Sequence, residues 1–419
     1  RLGVHITQVA HQAQDQAVQQ KLMPASVGLD AQGQPTPALI KKMQSLGADV
    51  SKPAALVSQL KRQSDGKTET LYFDNLIKGA SLGSGLQAAL EAAISRLPIP
   101  KVMSYQLEAD CALPGWSSVN FVRPAHRLIA LHGDQVVPLN ALGLRSGNLT
   151  QGHRFEAACD PVMIPHADQY VQALERDGAV IPSYASRSLN MIRQLREKAK
   201  TCGARLEIEN NLDGMSEADI EATLLDDPLV QEVTALVERP NVLVCRFDPQ
   251  FLEVPQECLI LTMKANQKYF PLLDQNGKLT HQFLVVSNIA PKDPSAVVGG
   301  NERVVRPRLA DAKFFFDQDR KRSLESRVNG LSKVVYHNKL GSQGERMHRV
   351  VLIAKAIADA LVQSGDQAYA NPSAEWTSQI ETAARLAKTD LLTDMVGEFP
   401  ELQGIMGAYY ARHDGLSPV

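Results

Sequence analysis

The sequence has few of the residues that specialised folds and sites require. Aromatic side chains make up only 5% of its 419 residues, so base-stacking platforms cannot be numerous. The five cysteines, Cys111, Cys159, Cys202, Cys245 and Cys258, contain no CxxC pair. That argues against a structural zinc site and against a disulfide framework, and it reads as reduced, buried thiols in a cytoplasmic protein. No window approaches the ~18 apolar residues of a membrane span. The best stretch, Val350 to Val362, is interrupted by Lys355 and Asp359. GxxxxGK[ST], GxGxxG, HExxH and GxSxG are all missing, so neither a phosphate cradle nor a nucleophile elbow is visible. Excess positive charge is missing too. Lys plus Arg is 44 and Asp plus Glu is 46, a net of −2, which excludes a globally basic nucleic-acid binder but allows a local patch.

What remains is ordinary globular text, 44% apolar and 21% charged. The length predicts two or three domains. An opening on Arg1 without Met and a close on Ser417-Pro418-Val419 read as a piece of a longer polypeptide. Residues 1–45 read as the remnant of an upstream segment, with a turn at Gly28–Gly33 and a short helix from Ala38 to Leu46. A helix is expected over Ser84–Leu97, stopped by Pro98 and Pro100. Val119–Leu131 and Gln135–Leu144, joined at Gly133-Asp134, read as a hairpin. Asn190–Cys202 is a basic amphipathic helix ended by Gly203. Ser216-x-x-Asp219 resembles a capping box. Strands are expected at Asn241–Phe247 and Cys258–Met263, then a hairpin of Tyr269–Leu273 and Leu279–Asn288 around a type I′ Asn276-Gly277 turn. From about Ser323 the period becomes helical and strands vanish. Met347, Val350, Val351, Ala354, Ile357, Ala358 and Leu361 form one apolar stripe, and Trp376, Ile380, Ala383, Ala387 and Leu391 another. The pattern gives an α+β region followed by an all-α region.

Charge is segregated. Gly203–Pro240 carries ten acids and two bases, a net of −8 that reads as a solvated acidic face. Asn301–Arg322 carries seven bases and four acids, a net of +3. Its arginines Arg303, Arg306 and Arg308, with Lys321 and Arg322, suit forked phosphate contacts. Phe314, Phe315 and Phe316 cannot all be buried on one helix face, so one is left for a surface contact. Two readings stay open for this segment: an RNA-backbone or subunit contact, and an interdomain helix laced with its own salt bridges. Arg154, in Gly152-His153-Arg154-Phe155, and Lys264 and Lys268, before the Asn-Gly turn, are further basic candidates, as are Arg412 and His413.

His413-Asp414 has the look of a metal-binding His-Asp dyad, but it falls in an expected loop. The helical position that matches such a dyad better is Thr389-Asp390, where Thr replaces the His. The upstream His of that pattern would fall at Arg346, and His348 lies about 200° further round a helix. Both nitrogen ligands are therefore missing, and no metal is expected. Asp390, Asp394 and Glu398 at i, i+4 and i+8 would share a face that could hold Mg²⁺ or simply be solvated.

Three stretches carry a family resemblance: LTMKANQKYFPLLDQNGKL at Leu261, GNERVVRPRLADAKFFFDQDRK at Gly300 and MVGEFPELQGIMGAYYARHDG at Met395. Weaker ones are LPIPK at Leu97, FVRPAHRLIALHG at Phe121, GHRF at Gly152 and LVERPNVLV at Leu236. With them in this order, the chain resembles the β subunit of the bacterial heterotetrameric glycyl-tRNA synthetase. Ser104-Tyr105 departs from the Arg-Trp-like pair common in that family. The resemblance implies a remnant over 1–45 and an α+β domain over 46–325, similar to the editing module in the β subunit of the phenylalanine enzyme. It also implies an incomplete HD-like helical domain over 326–419. The family's anticodon-binding domain would then lie outside the chain. The implied role is a non-catalytic, tRNA-binding subunit of glycine–tRNA ligase. Its partners would be tRNA-Gly and an α subunit, in an α2β2 assembly without a membrane. The α subunit would use the ATP and Mg²⁺; this chain would hold no cofactor and no catalytic residue. The competing readings are a metal-dependent phosphohydrolase built on the HD-like domain, a residual editing hydrolase and a purely structural scaffold. Editing by size has little purpose for glycine, which has no smaller competitor.

Overall fold

The computed structural model describes residues 10–417, except 65, 67, 100, 110, 213 and 365–374. Arg1, Pro100, Asp213 and the closing Pro418-Val419, used in the sequence reading, lie outside the described residues. The chain divides into two compact units, at 178/179.

In the first unit, β1 (Gln16–Pro24) runs into α1 (Ala25–Gly28), followed by α2 (Pro37–Ser45) and α3 (Pro53–Ser58). β2 (Leu60–Ser64) and β3 (Glu69–Ile77) complete an antiparallel sheet in the order β1-β3-β2. Leu39 and Met43, one turn apart on α2, pack with Leu56, Leu71 and Phe73 to close this small core. Thr36 caps α2 by accepting the Leu39 N–H, and Pro37 sits at its first position, where no donor is needed. α4 (Leu82–Ser95) starts two residues before the expected Ser84 and is capped by Ser81.

The long hairpin expected at 119–144 is instead a string of short strands. β4 (Met103–Gln106) pairs with β5 (Ser118–Phe121); β6 (Leu128–Ile129), β7 (Leu131–His132), β8 (Gln135–Val136), β9 (Asn140–Ala141) and β10 (Leu144–Gly147) follow. Only β7 and β8 pair across Gly133-Asp134. Pro124 and Pro138 lack the N–H that a continuous ladder needs. β11 (Leu149–Thr150) pairs with β12 (Val162–Met163), and α5 (Tyr170–Arg176) closes the unit.

The second unit is a four-stranded antiparallel sheet covered on both faces. α6 (Tyr184–Thr201), β13 (Arg205–Leu206), α7 (Glu217–Asp226) and α8 (Pro228–Leu236) precede β14 (Asn241–Arg246), α9 (Gln256–Gln267), β15 (Phe270–Leu273) and β16 (Leu279–Ser287). The strand order is β13-β15-β16-β14. Alternation along β16 sends Leu284 to a core with α6 and α8, and Phe283 and Val285 to a core with α9.

Cys258–Met263, expected as a strand, belongs to α9. Its buried residues Cys258, Leu259, Thr262 and Met263 recur with helical spacing, which a six-residue apolar run does not reveal. The β15–β16 hairpin forms, but not with a type I′ turn. Only Gly277 takes positive φ (73°), and the Asp274 carboxylate accepts the N–H groups of Asn276 and Lys278.

α10 (Ser295–Asp319), α11 (Leu324–Arg327), α12 (Gln343–Gln363), α13 (Trp376–Leu386), α14 (Asp394–Glu398) and α15 (Ile405–His413) complete the unit. Strands do not vanish here: β17 (Val335–His337) and β18 (Gly341–Ser342) pair before α12. α13 stops at Leu386, so Ala387 and Leu391 lie beyond it. Of the expected α12 stripe, Met347 and Ala358 are buried while Ile357 is 55% exposed. The sequence reading placed boundaries at 45/46 and 325/326. In the structure, one core runs from Cys245 on β14 to Tyr410 on α15, across residue 325. The fold class is mixed α+β.

Candidate nucleic-acid interface

α10 buries Val305, Leu309, Ala312 and Phe316 on one face. Arg303, Pro307, Ala310 and Phe314, at i, i+4, i+7 and i+11, run along the opposite, exposed face. Phe314 is 57% exposed, so one of the three phenylalanines is indeed left for solvent or a partner. Pro307 leaves the Arg303 carbonyl without its helical donor, a cost that solvent on this side can offset. Arg303 and Arg306 are exposed and, among the described residues, form no ion pair. Arg308 is also exposed, but it lines a small cavity of about 60 Å³ together with Asp311 and Glu398.

The other basic candidates occupy different settings. Lys264 Nζ lies 2.6 Å from a Glu207 carboxylate oxygen, and Lys268 Nζ lies 3.0 Å from one of Glu232. Both carboxylates belong to the acidic 203–240 segment, as do Glu209 and Glu217, which pair with Arg196. That segment is therefore partly neutralised by cations from elsewhere in the chain and is not only a solvated face. Beside it opens a cleft of about 720 Å³ lined by Arg196, Lys200, Glu209 and Asp274.

Lys321 donates to Gln318 (3.0 Å), while Arg322 is exposed. The Arg412 guanidinium sits over the Tyr409 ring at 5.4 Å. His413 ends α15 rather than lying in a loop, with Nε2 3.2 Å from the Arg320 carbonyl oxygen. Asp414 caps that helix end and accepts the Leu324 N–H at 2.7 Å. Arg154 is exposed and belongs to the first unit, beside the buried His153 and the exposed Phe155.

The dyad position is a structural knot. Thr389 and Asp390 are buried. The Thr389 hydroxyl donates to the Leu386 carbonyl at 2.7 Å. The Asp390 carboxylate accepts the Gly404 N–H and, at 3.1 Å, the Gly407 N–H, so it caps the start of α15. The helix expected through 390–398 is broken at Thr393, whose side chain caps α14, so Asp390, Asp394 and Glu398 do not share one helical face. No group of three potential metal ligands occurs among the described residues.

A second buried carboxylate was not singled out by sequence. Asp319, 2% exposed, accepts from Arg327 (3.2 Å), from the N–H groups of Asp394 and Met395 (both 2.9 Å) and from the Tyr410 hydroxyl (2.9 Å). Burial, reinforced by this carboxylate, pushes the Tyr410 hydroxyl far above the ordinary tyrosine range. Also overlooked was a run of cations beyond Arg322. Between residues 323 and 349 there are five cations and two acids, a net of +3, which a longer counting window would have found.

A family model described as "Glycyl-tRNA synthetase beta subunit" matches residues 1–419. A protein of Polaromonas naphthalenivorans (strain CJ2), named "Glycine--tRNA ligase beta subunit", is 63% identical over 417 residues, covering 100% of this chain and 55% of its own length. Like-named proteins of Dechloromonas aromatica (strain RCB) and Methylobacillus flagellatus are 61% and 60% identical. Those alignments also cover 100% of this chain, and 55% and 54% of the relatives. The chain thus spans about half the length of the curated relatives it matches.

Proposed function

Because the chain belongs to the glycyl-tRNA synthetase beta subunit family, we propose that it is the non-catalytic, tRNA-binding part of a glycine–tRNA ligase. The single observation that carries this reading is the exposed face of α10, where Arg303 and Arg306 have no carboxylate partner among the described residues. Guanidinium groups in that state suit phosphate oxygens, and phosphate contacts position an RNA without reading its sequence. Adenylation of glycine and its transfer to tRNA-Gly then belong to a separate α subunit, which holds the ATP and Mg²⁺. The expected assembly is an α2β2 heterotetramer in the cytoplasm.

The four-stranded sheet covered by helices on both faces is compatible with an editing-like module, and the helices after it with an HD-like scaffold. Capping of α15 by Asp390 favours a scaffold over a phosphohydrolase, because one oxygen of that carboxylate, Oδ2, already holds two backbone N–H groups. The test is the salt dependence of tRNA-Gly affinity in the full-length protein. Arg303→Gln with Arg306→Gln should weaken binding and reduce the log–log salt slope by about 1.5. An unchanged affinity with an unchanged slope removes the phosphate role from α10.

A further inference from the structure

We infer that the β17–β18 hairpin and the first turns of α12 form a second RNA-binding surface, distinct from α10 and built to hold a phosphate backbone beside an unpaired base. The inference rests on the reading that the protein binds tRNA.

Charge is the first observation. Arg320 and Arg327 are bound to Asp317 and Asp319, but Lys333, Lys339, Arg346 and Arg349 form no ion pair among the described residues. The two acids of the stretch are already engaged. Glu325 pairs with Arg385. Glu345 is turned onto the Ser342 N–H (2.6 Å) and hydroxyl (3.1 Å) in a capping box, and these bonds hold its carboxyl below the ordinary range. Glu345 also interacts electrostatically with Arg349, so among the described residues it is Lys333, Lys339 and Arg346 that keep their charge for something outside the chain.

Geometry is the second. β17 ends at His337 and β18 begins at Gly341, so Lys339 stands in the connecting turn, with its N–H on His337 Nδ1 (3.1 Å). Arg349 donates to the Leu340 carbonyl (3.0 Å), which ties α12 to that turn. Gln343 N–H on the Val334 carbonyl (2.8 Å) ties the other end, next to Lys333. The cations are thereby fixed on one small element instead of being scattered along a coil.

The third observation is an aromatic ring among them. Tyr336 is 41% exposed, and the Arg346 guanidinium lies 4.5 Å from its centroid. A tyrosine stacked on arginine offers a flat surface for a splayed base, while lysines alongside take the phosphates. An acidic protein would also be drawn to the charge. The Tyr336–Arg346 stack within the cationic group favours the nucleic acid, because stacking on the ring adds to a phosphate contact.

The experiment measures tRNA-Gly affinity against salt concentration, using the full-length protein. Lys333→Gln with Lys339→Gln should reduce the salt slope by about 1.5, and Tyr336→Ala should weaken binding about tenfold with the slope unchanged. Circular dichroism melting checks that both variants stay folded. If wild-type protein binds tRNA-Gly and the α10 variant is impaired while these variants bind normally, this surface is not an RNA site and the α10 reading survives. If wild-type protein does not bind tRNA-Gly at all, both readings fall together. If the hairpin variants bind tRNA normally but lose sedimentation with the α subunit, the surface belongs to a protein partner and the inference is overturned.

Discussion

Replacing Asp319 by alanine strands the Arg327 guanidinium and frees the two backbone N–H groups that open α14. Removing one partner of a buried pair costs far more than the pair itself contributes, so we expect a loss of about 3–5 kcal/mol in urea unfolding. Tyr410→Phe removes one bond to the same carboxylate and should cost about 1.5–3 kcal/mol. Asp319→Ala that unfolds at the wild-type urea midpoint would show the knot to be incidental. The same core predicts a pH response. Burial raises the Cys245 and Cys258 thiols from 9.0 to about 12, and the Tyr269 hydroxyl from 10.0 to about 12. Between those values the unfolded chain releases protons that the folded chain keeps. Stability contributed by these groups is intact below pH 9.0 and declines as pH rises from there toward about 12. Thiol labelling at neutral pH should modify the exposed Cys159 and spare Cys245 and Cys258, read by mass spectrometry. Sequence foretold reduced thiols but not which are reachable; Cys159 is exposed, against the expectation of burial.

At the scale of single elements, the start of α12 depends on Gly341. Its φ is +84°, and a Cβ there would run into the Glu345 carboxylate that completes the capping box. Gly341→Ala should therefore lower stability by about 2 kcal/mol in thermal unfolding, through backbone strain and a displaced cap. A melting temperature equal to wild type would mean the helix start can rearrange freely. The elements legible in the sequence were those with both a period and a stop. α6 shows a basic amphipathic pattern ended by Gly203, and α7 is capped by Ser216 as its cap motif indicates. Cys258–Met263 had a composition but no period long enough to choose between helix and strand. The ion pairs were illegible for a different reason. Lys264 meets Glu207 from 57 residues away, so only the folded chain shows that this lysine is engaged while Arg303 has no ion pair among the described residues. A candidate list drawn from local charge cannot distinguish the two.

For the whole molecule, the two core clusters of residues 179–417 are built, among the described residues, from the second unit itself. A fragment beginning at Ala179 should unfold cooperatively in urea, with the near-ultraviolet dichroism of an ordered core. A gradual, non-cooperative loss of signal would show that it needs the preceding residues. Sequence placed the change from mixed to helical text near 325, because period and composition do shift there. Packing does not follow that change. Met395, Met406 and Tyr410 share a core with Cys258 and Phe283, and Cys258 Sγ lies 3.4 Å from Met406 Sδ. One consequence concerns motion. Amides of β16 and of α15, more than a hundred residues apart, lie over the same apolar cluster and should open together. Their slowest hydrogen exchange should report one shared opening free energy, even though the sequence presents them as parts of different domains.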